Sequence, residues 1–125
     1  MNPAAELLFV YGTLMTGEEN EAHMRGQRLL GAAETGPGWT LYLLDGYPGA
    51  VRLPGGPPLA GELWAVDPDA LARLDEFEGV GEGLYRRERE WVRCGERDHQ
   101  AWIYVYPGET EGRRAIGADW RRRTG

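Results

Sequence analysis

Glu78 has the residue type and position best suited to chemistry in this sequence. Leu71, Leu74 and Glu78 follow the i, i+3, i+7 spacing that places residues on one face of a helix. An acid on an otherwise apolar face is desolvated, and both the helix dipole and the neighbouring Asp75 disfavour its charge, so we expect a raised pKa. Such a carboxyl group can act as a general acid and base near neutral pH. The alternative is that the helix ends earlier and Glu78 is an exposed loop residue.

The segment Tyr11-Gly12-Thr13-Leu14 is the second candidate. It ends an apolar run that begins at Leu7. A glycine at this point lets consecutive backbone N–H groups turn outward and bind an anion. An ordinary turn after a strand explains the same four residues, so the motif alone leaves both interpretations open.

The residues that are missing exclude several kinds of catalysis. The sequence contains no serine and no lysine, and all 14 of its basic residues are arginine. This excludes serine–histidine and serine–lysine catalysis, lysine Schiff bases and a P-loop lysine. His23, His99 and Cys94 lack the spacing of metal ligands, so packing or surface roles are expected for them.

The composition limits which binding partners and which cellular compartment are expected for this protein. The 125 residues fit one domain spanning residues 1–125, and a net charge of −6 argues against nucleic acid as a partner. No apolar run approaches the ~20 residues that span a bilayer, and Met1 to Glu6 do not resemble a secretory signal. The single Cys94 fits the cytoplasm. The basic cluster at residues 121–123 is interpreted as a solvated tail.

The elements that must position these residues are mostly strands. Asp67 and Pro68 predict a helix start, and the helix is expected to run to about Phe77 with Gly79 marking its end. Six or seven strands without regular alternation with helices favour an α+β fold with a mixed, barrel-like sheet. The predicted strands cover residues 7–11, 29–33, 39–44, 50–53, 59–66, 85–92 and 101–106.

Several short motifs follow one another along nearly the whole chain. They are Y-G-T-L-x-x-G-x-x-N at 11–20, Y-P at 47–48, G-E-L-W at 61–64, L-D-E-F-E-G at 74–79 followed by Tyr85 and Arg86, W-I-Y-V-Y at 102–106 and D-W at 119–120. In this order they resemble the γ-glutamylcyclotransferase-like family. The resemblance implies a small mixed β-barrel with flanking helices.

The resemblance also implies a reaction. In it, the α-amine of a γ-glutamyl group attacks its own side-chain carbonyl, giving 5-oxoproline and a free amine. Glu78 would be the acid/base, the backbone of Gly12, Thr13 and Leu14 would hold the glutamyl group, and Tyr11 and Tyr85 would line the pocket. No metal or organic cofactor is implied, because the reaction needs positioning and one proton shuttle.

The leaving amine and two rival functions stay open at this point. Residues 79–83 intervene where some relatives acting on γ-glutamyl-lysine have a proline, which favours γ-glutamyl amino acids or other γ-glutamyl amines. One rival function is a non-catalytic module of the same fold that binds a small carboxylate. The other is an amidohydrolase that uses water in place of the internal amine.

Overall fold

The structure, a computed structural model, describes residues 5–123. The prediction that no secretory signal is present rested on Met1 to Glu6, and residues 1–4 of that segment lie outside the described residues. The strands are β1 (Glu6–Val10), β2 (Arg28–Thr35), β3 (Trp39–Leu43), β4 (Pro48–Arg52), β5 (Ala60–Val66), β6 (Arg86–Cys94), β7 (Arg97–Val105) and β8 (Arg114–Ala115). One α-helix, α1 (Pro68–Phe77), and short 3-10 helices at Glu21–Met24, Val80–Glu82 and Trp120–Arg122 complete the described elements.

Five of the strands close into a barrel in the order β1-β5-β2-β6-β7. The closing pair is β1 with β7, which run parallel and place Leu8 opposite Trp102. The other barrel pairs are antiparallel, so the barrel is mixed. Leu8, Leu63 and Ile103 are fully buried in its core. The predicted small mixed β-barrel is confirmed.

Strand β7 changes partners along one edge. After its pairing with β1 it pairs with β4, again in parallel, with Ala50 opposite Val105. At the change-over the Tyr11 hydroxyl accepts a hydrogen bond from the Ala50 N–H (3.1 Å) and donates one to the Tyr104 carbonyl (2.6 Å). The Tyr11 side chain thus bridges β4 and β7 next to the end of β1.

Helix α1 begins and ends where the sequence predicts. The Asp67 carboxylate accepts a hydrogen bond from the Ala70 N–H at 2.7 Å, which caps the first turn. Gly79 then follows the helix in the left-handed conformation (φ 68°) and ends it. Within residues 5–123, no helix is long and apolar enough to cross a membrane.

Several strand bounds differ from the prediction. The hairpin of β6 and β7 extends from Arg86 to Val105, and Tyr85 lies just before it rather than inside it. The two-residue strand β8 is absent from the prediction because so short a segment carries no periodicity. The polar stretch from Gly17 to Gly26, which lies outside the predicted strands, contains the 3-10 helix Glu21–Met24.

Candidate functional site

A cavity of about 240 Å³ lies where β1 ends, β4 begins and α1 ends. The structure brings every sequence-predicted site residue to its wall: Tyr11, Gly12, Thr13, Leu14, Glu78 and Tyr85. The remaining lining residues are Phe9, Val10, Asn20, Tyr47, Pro48, Phe77, Leu84 and Tyr104. Residues far apart in the sequence therefore converge on one concave site.

Glu78 is placed at this wall by the end of helix α1. Its N–H donates to the Leu74 carbonyl (2.8 Å), so its backbone completes the last helical turn. Leu71 and Leu74 on the same face are buried, and Glu78 is half-buried, which contradicts the interpretation as an exposed loop acid. Burial raises the pKa of Glu78 to about 7. Among residues 5–123, no group donates a hydrogen bond to its carboxylate.

The expected contribution of Asp75 to this pKa is wrong. The Asp75 carboxylate accepts a hydrogen bond from the Tyr104 hydroxyl (2.8 Å) and lies 2.9 Å from the Arg87 Nε. The Arg87 contact is an ion pair rather than a hydrogen bond, because the Nε–H has no hydrogen-bond partner within the described residues. A cation beside Asp75 offsets its charge, and burial alone raises the pKa of Glu78.

The loop after β1 packs tightly against the start of β4. A Cβ on Gly12 would lie 2.6 Å from Pro48 Cγ, so only glycine fits without a shift. The loop is held by hydrogen bonds from the Asn20 N–H to the Thr13 carbonyl (2.8 Å) and from Asn20 Nδ2 to the Thr13 hydroxyl (2.9 Å). In the described part of the chain, the N–H groups of Gly12, Thr13 and Leu14 have no acceptor. Three consecutive residues of the cavity wall therefore have N–H groups without an acceptor among the described residues.

Tyr11 and Tyr85 are fixed, neutral parts of the wall. The Tyr85 hydroxyl donates to the Pro48 carbonyl at 2.5 Å, and the Tyr11 hydroxyl bridges β4 and β7 as described above. Burial raises the pKa of both hydroxyls well above their usual range. Tyr104 also lines the cavity. These side chains shape the site and do not ionise near neutral pH.

A second cluster beside the loop is absent from the sequence-based prediction. Glu62 is only 7% exposed, and its Oε1 accepts from the Thr16 N–H (2.9 Å), the Thr16 hydroxyl (3.2 Å) and the Trp64 indole (3.2 Å). Arg121 lies 3.4 Å from Glu62 Oε2, pairs with Glu18 and donates to the Thr16 carbonyl. Arg121 is exposed, as predicted, but it does not belong to a loose tail, because it helps to hold the loop after β1.

The candidate metal ligands do not come together. In the part of the chain that the structure describes, no group of three or more His, Cys, Asp or Glu residues could hold a metal ion. The His23 ring instead packs against Phe77 in a tilted arrangement, with ring centroids 4.0 Å apart.

Comparisons with known proteins give the family. The family described as gamma-glutamyl cyclotransferase, AIG2-like, matches residues 8–122. The chain is 40% identical over 119 residues to a Vibrio cholerae protein with a provisional gamma-glutamylcyclotransferase name, covering 94% of this chain and 96% of that protein. It is 36% identical over 114 residues to the Escherichia coli K12 gamma-glutamylcyclotransferase family protein YtfP, covering 90% and 94%. The chain belongs to the γ-glutamylcyclotransferase family.

A solved structure agrees on the fold. The crystal structure of an AIG2-like protein from Mus musculus superimposes with a TM-score of 0.81 at 24% identity, covering 98% of this chain and 90% of that one. This structure confirms the barrel fold, and the family model and the relatives confirm the family resemblance carried by the ordered sequence motifs.

Proposed function

We propose that this protein cyclises the γ-glutamyl group of a small γ-glutamyl amine or amino acid to 5-oxoproline and releases the free amine. The observation that carries the proposal is the Glu78 carboxyl group. It is half-buried at the wall of the cavity, has a pKa of about 7, and receives no hydrogen bond from the described residues. An unpaired acid with this pKa suits repeated proton transfer at neutral pH.

Glu78 acts as base and then as acid in this scheme. The carboxylate takes a proton from the substrate α-ammonium group, and the freed amine attacks the γ-carbonyl carbon to form the ring C–N bond. The protonated Glu78 then gives its proton to the leaving nitrogen as the amide C–N bond breaks, and the resulting carboxylate takes the second proton from the ring nitrogen and passes it to the released amine, which leaves the neutral lactam. The proton removed in the first step is used in the second, so one carboxyl group is sufficient.

The loop after β1 holds the glutamyl group in this scheme. The unpaired N–H groups of Gly12, Thr13 and Leu14 suit the substrate α-carboxylate, since consecutive backbone donors form an anion site. Tyr11 and Tyr85 form neutral walls that keep water from the reacting atoms. Holding the amine close to the carbonyl can lower the activation barrier by ~7–11 kcal/mol, so no enzyme nucleophile is needed. We place the reaction in the cytoplasm, in keeping with the single cysteine.

The test is product analysis by mass spectrometry. The protein is incubated with a set of γ-glutamyl amides, and 5-oxoproline, glutamate and free amine are quantified, with the Glu78→Gln protein as control. We expect 5-oxoproline and amine in equal amounts from the parent protein only. Glutamate as the product would indicate an amidohydrolase. Binding of the amides without turnover would indicate a non-catalytic binding module.

A further inference from the structure

Two large apolar side chains stand exposed at the cavity. Phe77 and Leu84 both line the cavity, and each is 41% exposed. The other large hydrophobic side chains with comparable exposure in residues 5–123 lie elsewhere, on β2, after β4 and on β6, and do not line it: Leu29, Leu30, Leu53 and Trp91. Exposed apolar surface inside a cavity points to an apolar ligand more strongly than single exposed side chains on a surface do.

These two side chains are held in place next to Glu78. Phe77 is the last residue of α1, and the His23 ring covers it with a centroid distance of 4.0 Å. Gly79 turns the chain back so that the Leu84 N–H donates to the Gly79 carbonyl (3.0 Å). The apolar surface and the acid therefore belong to one compact turn, so a leaving amine that receives its proton from Glu78 would lie beside that surface.

The charged side chains at the cavity also favour an apolar ligand. Of the side chains of residues 5–123 that line the cavity, Glu78 is the only acid, and none is an arginine. The sequence has no lysine to provide a cation. A carboxylate on the leaving group would be desolvated near Glu78 with no cation to pair with it, which is unfavourable.

We infer that the leaving amine is an apolar alkyl or arylalkyl amine without a carboxylate, seated against Phe77 and Leu84. This inference rests on the proposed function and specifies its substrate class. Apolar contact is worth about a fourfold change in binding per buried methylene, so the preference should grow with chain length until the cavity is filled.

The test compares matched γ-glutamyl amides by the rate of 5-oxoproline formation. In γ-glutamyl-pentylamide and γ-glutamyl-5-aminopentanoate, a carboxylate replaces the terminal methyl group of an otherwise identical chain. We expect kcat/KM to rise from the ethylamide to the pentylamide, and to be at least about tenfold higher for the pentylamide than for the aminopentanoate. Equal or faster cyclisation of the aminopentanoate amide would overturn this inference alone. No 5-oxoproline from any amide would overturn the proposed function as well.

Variants at Leu84 test whether the surface formed by Phe77 and Leu84 causes the preference for an apolar amine. Leu84→Ala should lower the pentylamide-to-ethylamide ratio about tenfold or more, and Leu84→Arg should shift the preference towards the aminopentanoate amide by a similar factor. Leu53→Ala is the control, because Leu53 is 43% exposed but does not line the cavity, and it should keep the parent ratio. Thermal denaturation confirms that each variant folds. Folded Leu84 variants with parent-like preferences would overturn the assignment.

Discussion

Glu62 and Glu78 are both partly or wholly withdrawn from solvent near the loop that follows β1, but their carboxylates have opposite surroundings. Glu62 accepts hydrogen bonds from Thr16 and Trp64 and lies beside Arg121. Glu78 has no donor among the described residues, and burial raises its pKa to about 7. A carboxylate whose hydrogen bonds are made inside the protein fixes the structure, whereas one without them is available to a substrate.

The largest expected effect is on catalysis in the Glu78→Gln protein. Glutamine keeps nearly the same size but cannot exchange a proton, so kcat should fall by ~10²–10⁴. The measurement is steady-state kinetics on an amide that the parent protein cyclises. The control is Glu76→Gln, since Glu76 is exposed on the same helix and should keep parent turnover. Near-parent turnover in Glu78→Gln would sink the assignment.

Asp75→Asn is not a neutral control for this experiment. Asp75 joins helix α1 to Tyr104 and Arg87, so its loss disturbs the wall of the cavity. We expect a smaller fall in kcat than for Glu78→Gln, with a loss of thermal stability that Glu78→Gln does not share. A fall as large as that of Glu78→Gln, in a protein of unchanged stability, would point to a direct role for Asp75.

The second prediction concerns the pH dependence of stability. The pKa of Glu78 is about 7 in the folded protein against an ordinary value of 4.5, so the folded state holds the proton more tightly. The stability gained in this way is complete below pH 4.5 and is lost as the pH rises through 7. The glutamine in Glu78→Gln cannot ionise, so this variant does not lose that stability. As the pH rises over this range, its free energy of unfolding should increase relative to that of the parent protein by about 1–3 kcal/mol.

Urea denaturation of both proteins at several pH values measures this difference. A difference between Glu78→Gln and the parent that is constant from acid to neutral pH would contradict the raised pKa.

The third prediction tests the other glutamate. Glu62→Gln replaces one acceptor oxygen with an amide NH₂ that faces Arg121, so the free energy of unfolding should fall by about 1–2 kcal/mol. Turnover should change much less than in Glu78→Gln, with KM affected more than kcat, because the loop loses an anchor. Chemical denaturation and kinetics check both effects. Glu19→Gln, at an exposed site near the same loop, should change neither.

The smallest expected effect is that of Gly12→Ala. The added methyl group would lie 2.6 Å from Pro48 Cγ, so the loop and β4 must move apart, at a cost of about 1 kcal/mol or more in stability. KM should rise because the N–H groups of the loop move with it. Gly81→Ala is the matched control, since a Cβ there meets open space. Unchanged KM in a folded Gly12→Ala protein would contradict the role of the loop.

The parts of the molecule that local sequence determines are the parts that sequence reasoning predicted. Helix α1 has its cap at Asp67, its stop at Gly79 and its apolar face within the single segment 67–79, and all three are confirmed. The order of the motifs pointed to the site because the family resemblance supplied the long-range arrangement. The effect of Asp75 and the role of Arg121 were misjudged, since their partners lie on other elements of the fold: Arg87 on β6, and Thr16 after β1.

The hydrogen bond from Arg121 to the Thr16 carbonyl affects when the site can form during protein synthesis. The two residues are 105 positions apart, and β1 also needs β7 to close the barrel. At ordinary rates of protein synthesis, about 5–20 s pass between the emergence of two such segments. During that interval the loop of residues 12–14 has neither its barrel nor its clamp. Activity should therefore appear only after the last strands have left the ribosome, and the contacts that build the site are the slow, long-range ones of the fold.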